Sequence, residues 1–142
     1  MDKFNESESS RHYISLLQEN ITRMASNCNS CKTWLITIVS ALFALQLTGD
    51  AIKPHLWIAI IPTVLFYFLD AYYLGIEKRF RDIESAFVEK VKNGVDYEGD
   101  LYTFCNASKK KLYYFGKGLS SMATWLLYAV MLVTIIVLTI IL

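Results

Sequence analysis

The feature that most constrains this chain is the run LWIAIIPTVLFYFLDAYYLGI, residues 56–76, which passes without a break into EKRFRDIESAFVEKV. About twenty residues rising ~1.5 Å each cover ~30 Å, the thickness of a bilayer's hydrocarbon core. The charges after Ile76 cannot follow into lipid, so this run marks both a span and the point where the chain re-enters water. Two further apolar blocks occupy residues 34–48 and 119–142, and the last of them carries no charge. Three spans use most of 142 residues and leave no core large enough for a soluble catalytic domain.

Charge sets the expected orientation. Cytoplasmic loops collect Lys and Arg, and with the N-terminus inside, all of the 14 cations except Lys53 fall on the cytosolic side. Residues 1–30 are polar, where a cleavable signal would place its apolar centre. The sequence therefore predicts an all-α, three-span helical membrane protein with a small helical cytosolic region, assembled as a symmetric oligomeric bundle. Its expected parts are an N-terminal cytosolic helix (1–33) continuous with the first span, a transmembrane hairpin (34–76, spans 34–48 and 56–76), a cytosolic helical ligand-binding region (77–118) and a third transmembrane helix (119–142).

Ahead of and through the first span, Ile14, Leu17, Ile21, Met24, Cys28, Cys31, Leu35, Ile38, Leu42 and Leu45 recur three and four residues apart. That seam packs against another helix, of this chain or of a second subunit. A second face of the span carries Thr37, Ser40, Ala41, Ala44 and Thr48, small enough for close helix packing and polar enough to line an aqueous path. In the second span Pro62 is expected to kink the helix near the bilayer centre. Asp70 is the one acid in an apolar run. It is a functional candidate by default, or an interfacial carboxylate paired with Lys78, Arg79 or a terminal amide.

The stretch Leu69-Asp70-Ala71-Tyr72-Tyr73-Leu74-Gly75-Ile76-Glu77-Lys78-Arg79-Phe80-Arg81 resembles the end of a span in small bacterial membrane proteins, among them membrane effectors of anti-phage defence. It is similar in particular to the membrane component of the Hailong defence system, over the two-span hairpin and the helix below it. That resemblance implies a tetrameric ion channel in the bacterial inner membrane. It also implies gating by a single-stranded DNA oligomer made by a partner nucleotidyltransferase.

Below the second span, Ile76, Phe80, Ile83, Phe87 and Val91 form an apolar stripe at helical spacing, and Asn93-Gly94 is a natural helix stop. Asp100 is placed to cap a following helix. Next comes CNASKKKLYYFGKGLSSM, where Lys109, Lys110, Lys111 and Lys117 surround Tyr113, Tyr114 and Phe115. Phosphates take such charges and bases stack on such rings, so the four lysines with Tyr113 and Tyr114 are the candidate site for an oligonucleotide or nucleotide. A polybasic, aromatic segment before a span is equally an interfacial anchor. Gly116 and Gly118 are read as a joint before the last span. In that span Ser120, Thr124, Leu127, Met131, Thr134 and Leu138 share one helical face, suited to a hydrophobic pore or to packing. The pore or helix-interface candidates are thus Thr37, Ser40, Asp70, Thr124, Met131 and Thr134.

Signals for other chemistry are weak. Cys28-Asn29-Ser30-Cys31 has redox or zinc spacing, but Cys105 alone cannot complete four ligands, and both cysteines sit on the seam. No catalytic triad, phosphate-binding glycine loop or zinc-protease motif is present. The expectation is a channel, not an enzyme, with no cofactor and no metal. Its expected partners are copies of itself, the lipid bilayer, and the oligomer or nucleotide with the enzyme that makes it. A non-conducting adaptor that recruits a soluble partner through its cytosolic helices is the alternative.

Overall fold

A computed structural model describes residues 2–48, 56–103 and 110–141. It is all-helical. The described residues form α1 (Asp2–Thr48), α2 (Ile60–Lys92), α3 (Lys111–Leu119) and α4 (Met122–Ile141), with 3-10 turns at Leu56–Ala59 and Glu98–Asp100. Three helical segments, Glu8–Leu45, Trp57–Lys92 and Met122–Ile140, are long and apolar enough to cross a membrane, the mark of a multi-pass membrane protein.

The 47 residues of α1 make one rod about 70 Å long. Its continuity follows from composition: the first glycine is Gly49 and the first proline Pro54, so nothing inside it breaks the hydrogen-bond ladder. Along its inner face Tyr13, Leu17, Ile21, Cys28, Cys31, Leu35 and Val39 are buried. The facing helix is α2 of the same chain. Tyr13 meets Phe87 edge-on with ring centroids 4.8 Å apart, Gln18 donates to Glu84 at 3.0 Å, and Lys32 pairs with Asp70. These pairs define one antiparallel register. Thr37, Ser40, Ala41 and Ala44 lie on the outer side and stay exposed in the single chain.

Two cores result. In the apolar half, Leu35 and Val39 of α1, Ala59 at the entry to α2, and Tyr128 and Ile135 of α4 close on one another. In the charged half, Tyr13 and Leu17 close on Ile83 and Phe87, with Phe80, Val91, Tyr97 and Leu101 around them. The stripe on α2 thus packs on the N-terminal helix. α2 stops at Asn93, whose N–H bonds the Glu89 carbonyl, and Gly94 takes a φ of +66°, a left-handed turn that glycine adopts without steric cost.

Four details differ from the sequence expectations. Pro62 lies in the first turn of α2, where an amide hydrogen has no helical acceptor to lose, so it starts the α-helix and does not bend its middle. Asp100 caps no helix among the described residues; it closes a 3-10 turn and pairs with Lys90. The third apolar helix begins at Met122, and Leu119 belongs to α3. The break falls at Ser120-Ser121, where the Ser120 N–H and hydroxyl both bond the Gly116 carbonyl and the Ser121 carbonyl accepts from the N–H groups of Thr124 and Trp125.

Candidate functional site

α3 brings basic and aromatic side chains against α2 at the point where α2 turns from apolar to charged. Two glycines make the approach close. A Cβ on Gly118 would stand 2.1 Å from the Ala71 carbonyl oxygen, and one on Gly75 would stand 2.7 Å from the Tyr114 carbonyl oxygen. Gly118 is therefore a contact point between helices, whereas a Cβ on Gly116 would meet nothing within 4 Å. Three side chains of α2 reach across the crossing. Tyr67 donates to the Leu119 carbonyl at 2.9 Å, Lys78 to the Lys117 carbonyl at 2.9 Å, and Asp82 accepts from the Tyr114 hydroxyl at 2.9 Å.

Between the two helices lies a groove of about 650 Å³. Its apolar walls come from Tyr72, Ile76, Phe80 and Phe115, and its cations are Arg79 and Lys111. Of the six basic and aromatic candidates, Lys109 lies outside the described residues. Lys110, Lys111, Tyr113 and Lys117 are exposed, with Lys110 just ahead of the helix. Tyr114 is buried, so its ring packs on α2 and is not presented for base stacking. Burial, with the hydrogen bond to Asp82 second, pushes the Tyr114 phenol up to about 12.

Tyr114→Phe should therefore cost about 1 kcal/mol in denaturant or thermal unfolding in detergent. A ring that stacked on a ligand would lose nothing by that change. The pH dependence has a definite sign. Above the ordinary phenol value of 10.0 the unfolded chain releases its proton, while the folded chain keeps it to about 12. Stability contributed by Tyr114 is complete below pH 10 and is lost as pH rises through that window, a loss the Phe variant lacks.

The second polar cluster sits higher, among α1, α2 and α4. Asp70 is fully enclosed, and Lys32 Nζ stands 3.6 Å from its Oδ2. The Cys28 thiol donates to the Asp70 carbonyl at 3.7 Å, and Tyr128 donates to the Phe66 carbonyl at 3.1 Å. Among the described residues neither carboxylate oxygen of Asp70 accepts a hydrogen bond, and the buried Thr124 hydroxyl also has no partner. Asp70 is thus an ion-paired core residue whose partner comes from α1, not from Lys78 or Arg79 of its own helix.

The remaining pore or interface candidates separate. Thr124 is buried, Met131 half-buried, and Thr37, Ser40 and Thr134 exposed. The hydroxyls of Thr37 and Thr134 bond the carbonyls four residues back in their own helices. The inward face of α4 runs Thr124, Tyr128, Ile135, so Thr124 and Thr134 do not share an environment. Cys28 and Cys31 are buried free thiols, and no cluster of metal ligands occurs among the described residues.

Sequence reasoning missed Arg79 and Phe80 as groove residues and Lys32 as the partner of Asp70; Phe115, read as part of the basic-aromatic cluster, does line the groove. A usable signal was present in Gly75 and Gly118, since a glycine inside a helix marks a close backbone approach. Fold and site together define a multi-pass helical membrane protein with a cation-aromatic groove beside the end of its second span. No protein-family model, curated protein or solved structure matches the chain.

Proposed function

We propose that this chain is the subunit of an oligomeric membrane ion channel whose conductance is set by a phosphate-bearing ligand, an oligonucleotide or nucleotide, on its cytosolic side. The observation that carries this reading is mechanical. Lys110 just ahead of α3 and Lys111, Tyr113 and Lys117 on it are exposed, and α3 is fixed to α2 by the glycine crossing and joined to α4 by only two residues. An anion drawn to those lysines acts on a short lever attached directly to an apolar span.

Two further features support it. The hydroxyl-bearing face of α1, with Thr37 and Ser40, is left uncovered in one chain, which suits a contact shared with other copies or a water-lined path. A small chain encloses a path most simply as a closed ring of copies. The resemblance of residues 69–81 to the Hailong channel component supports the same reading, with depolarisation and growth arrest following when the channel opens.

The test is ion flux from liposomes containing the purified protein, with and without short single-stranded oligodeoxynucleotides. Flux that changes with the oligonucleotide is expected. The triple change of Lys109, Lys110 and Lys111 to Glu should abolish copurifying nucleic acid and the response to it. Absence of flux in both conditions, together with capture of a defined soluble protein, would replace the channel with the adaptor reading.

A further inference from the structure

We propose that the groove between α2 and α3 seats the headgroup of an anionic phospholipid, with the phosphate held by Arg79 and Lys111 and the glycerol and upper acyl carbons lying along Tyr72, Ile76 and Phe115. This goes beyond the channel reading and rests only on α2 crossing the bilayer.

The order of groups along the groove is that of a lipid. Tyr72 and Ile76 belong to the last apolar turns of α2, and Arg79 and Phe80 to the first charged turn. The seven-residue step from Tyr72 to Arg79 rises ~10 Å, so the groove runs from hydrocarbon depth to headgroup depth within about two turns. Its two cations come from different helices and stand at the polar end, where a phosphate of the adjacent leaflet lies. A planar guanidinium presents a fork that matches phosphate oxygens, and the lysine adds a mobile point charge.

The wall chemistry separates this occupant from a nucleic acid. An oligonucleotide carries a phosphate at every residue and asks for a chain of cations, which exposed Lys110, ahead of α3, and Lys117, on it, offer outside the groove. The groove offers two cations and mostly hydrocarbon. At its mouth Leu112 is 78 % exposed. Such a side chain beside lysines is costly in water and favourable against acyl chains. Tyr72 is exposed at the same level, where an amphipathic ring is favoured at the membrane interface. With Gly75 forming part of the lining, the backbone of α2 itself comes to the surface of the groove.

The experiment is native mass spectrometry of the full-length protein, delipidated and then exposed in mixed micelles to equal amounts of phosphatidylglycerol and phosphatidylcholine. Retention of phosphatidylglycerol should exceed that of phosphatidylcholine by about thirtyfold, the scale of two cations near an anionic headgroup. The double variant Arg79→Gln, Lys111→Gln should bring the two lipids to parity, while Lys92→Gln, at the far end of α2, keeps the preference. Equal retention by the wild-type protein, or a preference that survives the double variant, overturns the assignment. A measurement on unaltered protein guards against misfolding of the variant. Inorganic phosphate or a short oligothymidylate at matched ionic strength should leave bound phosphatidylglycerol in place; displacement by the first assigns the groove to free phosphate, and by the second to nucleic acid. Lipid preference is read without any flux, so its failure and that of the channel reading are separate results.

Discussion

Replacing Lys32 by Met is expected to lower the stability of the purified protein by about 3 kcal/mol, and replacing Asp70 by Leu by less. The asymmetry comes from burial. The Asp70 side chain keeps 1 % of its surface, while that of Lys32 keeps 23 %. Without Lys32 the carboxylate is left with no cation within ion-pairing distance among the described residues. Without Asp70, the ammonium can reach polar surroundings along its flexible stem. The double variant Lys32→Met, Asp70→Leu removes both charges and should recover most of the loss, because an apolar pair of similar volume is often as stable as a buried ion pair. Thermal or denaturant unfolding in detergent of the two single variants and the double variant gives the coupling. Single losses that simply add would mean that the pair does not join α1 to α2.

That pair also shows where sequence reasoning stops. Asp70 is legible as the one acid in an apolar run, and the sequence offers cations for it on its own helix. Lys78 and Arg79 lie eight and nine residues further on, ~12–14 Å along the axis and beyond reach of a direct pair. Lys32 was invisible as a partner because the register between two helices belongs to neither one's pattern. The seam on α1 was readable, since Leu17, Ile21, Cys28, Cys31 and Leu35 turned out buried at the three-and-four spacing. The three apolar helices were readable for the same kind of reason: length and composition are properties of single segments. The groove was not. Its two cations are separated by 31 intervening residues, and they meet only because the chain turns back after α2 and crosses it again. Tyr114 shows the converse. In sequence it is one more ring beside lysines, and only the crossing with α2 makes it a buried tether to Asp82.

The crossing itself makes the sharper prediction, because two glycines two residues apart should respond in opposite directions. Gly118→Ala puts a methyl 2.1 Å from the Ala71 carbonyl oxygen, a backbone atom inside a helix that cannot turn aside. The helices must separate, and overpacking of this kind costs about 2–3 kcal/mol. Separation strains what they share: the Lys78 and Tyr67 bonds to the Lys117 and Leu119 carbonyls, and with them the position of the residues leading into α4. Gly116→Ala adds the same methyl to the same helix with nothing within 4 Å of it. There the change removes backbone freedom from the unfolded chain and should stabilise by about 0.5–1 kcal/mol. Comparing the two variants by thermal unfolding in detergent cancels helix propensity and leaves only the close approach. If both alanines behave alike, α3 does not rest on α2 at Ala71, and the groove beside that contact loses its second wall.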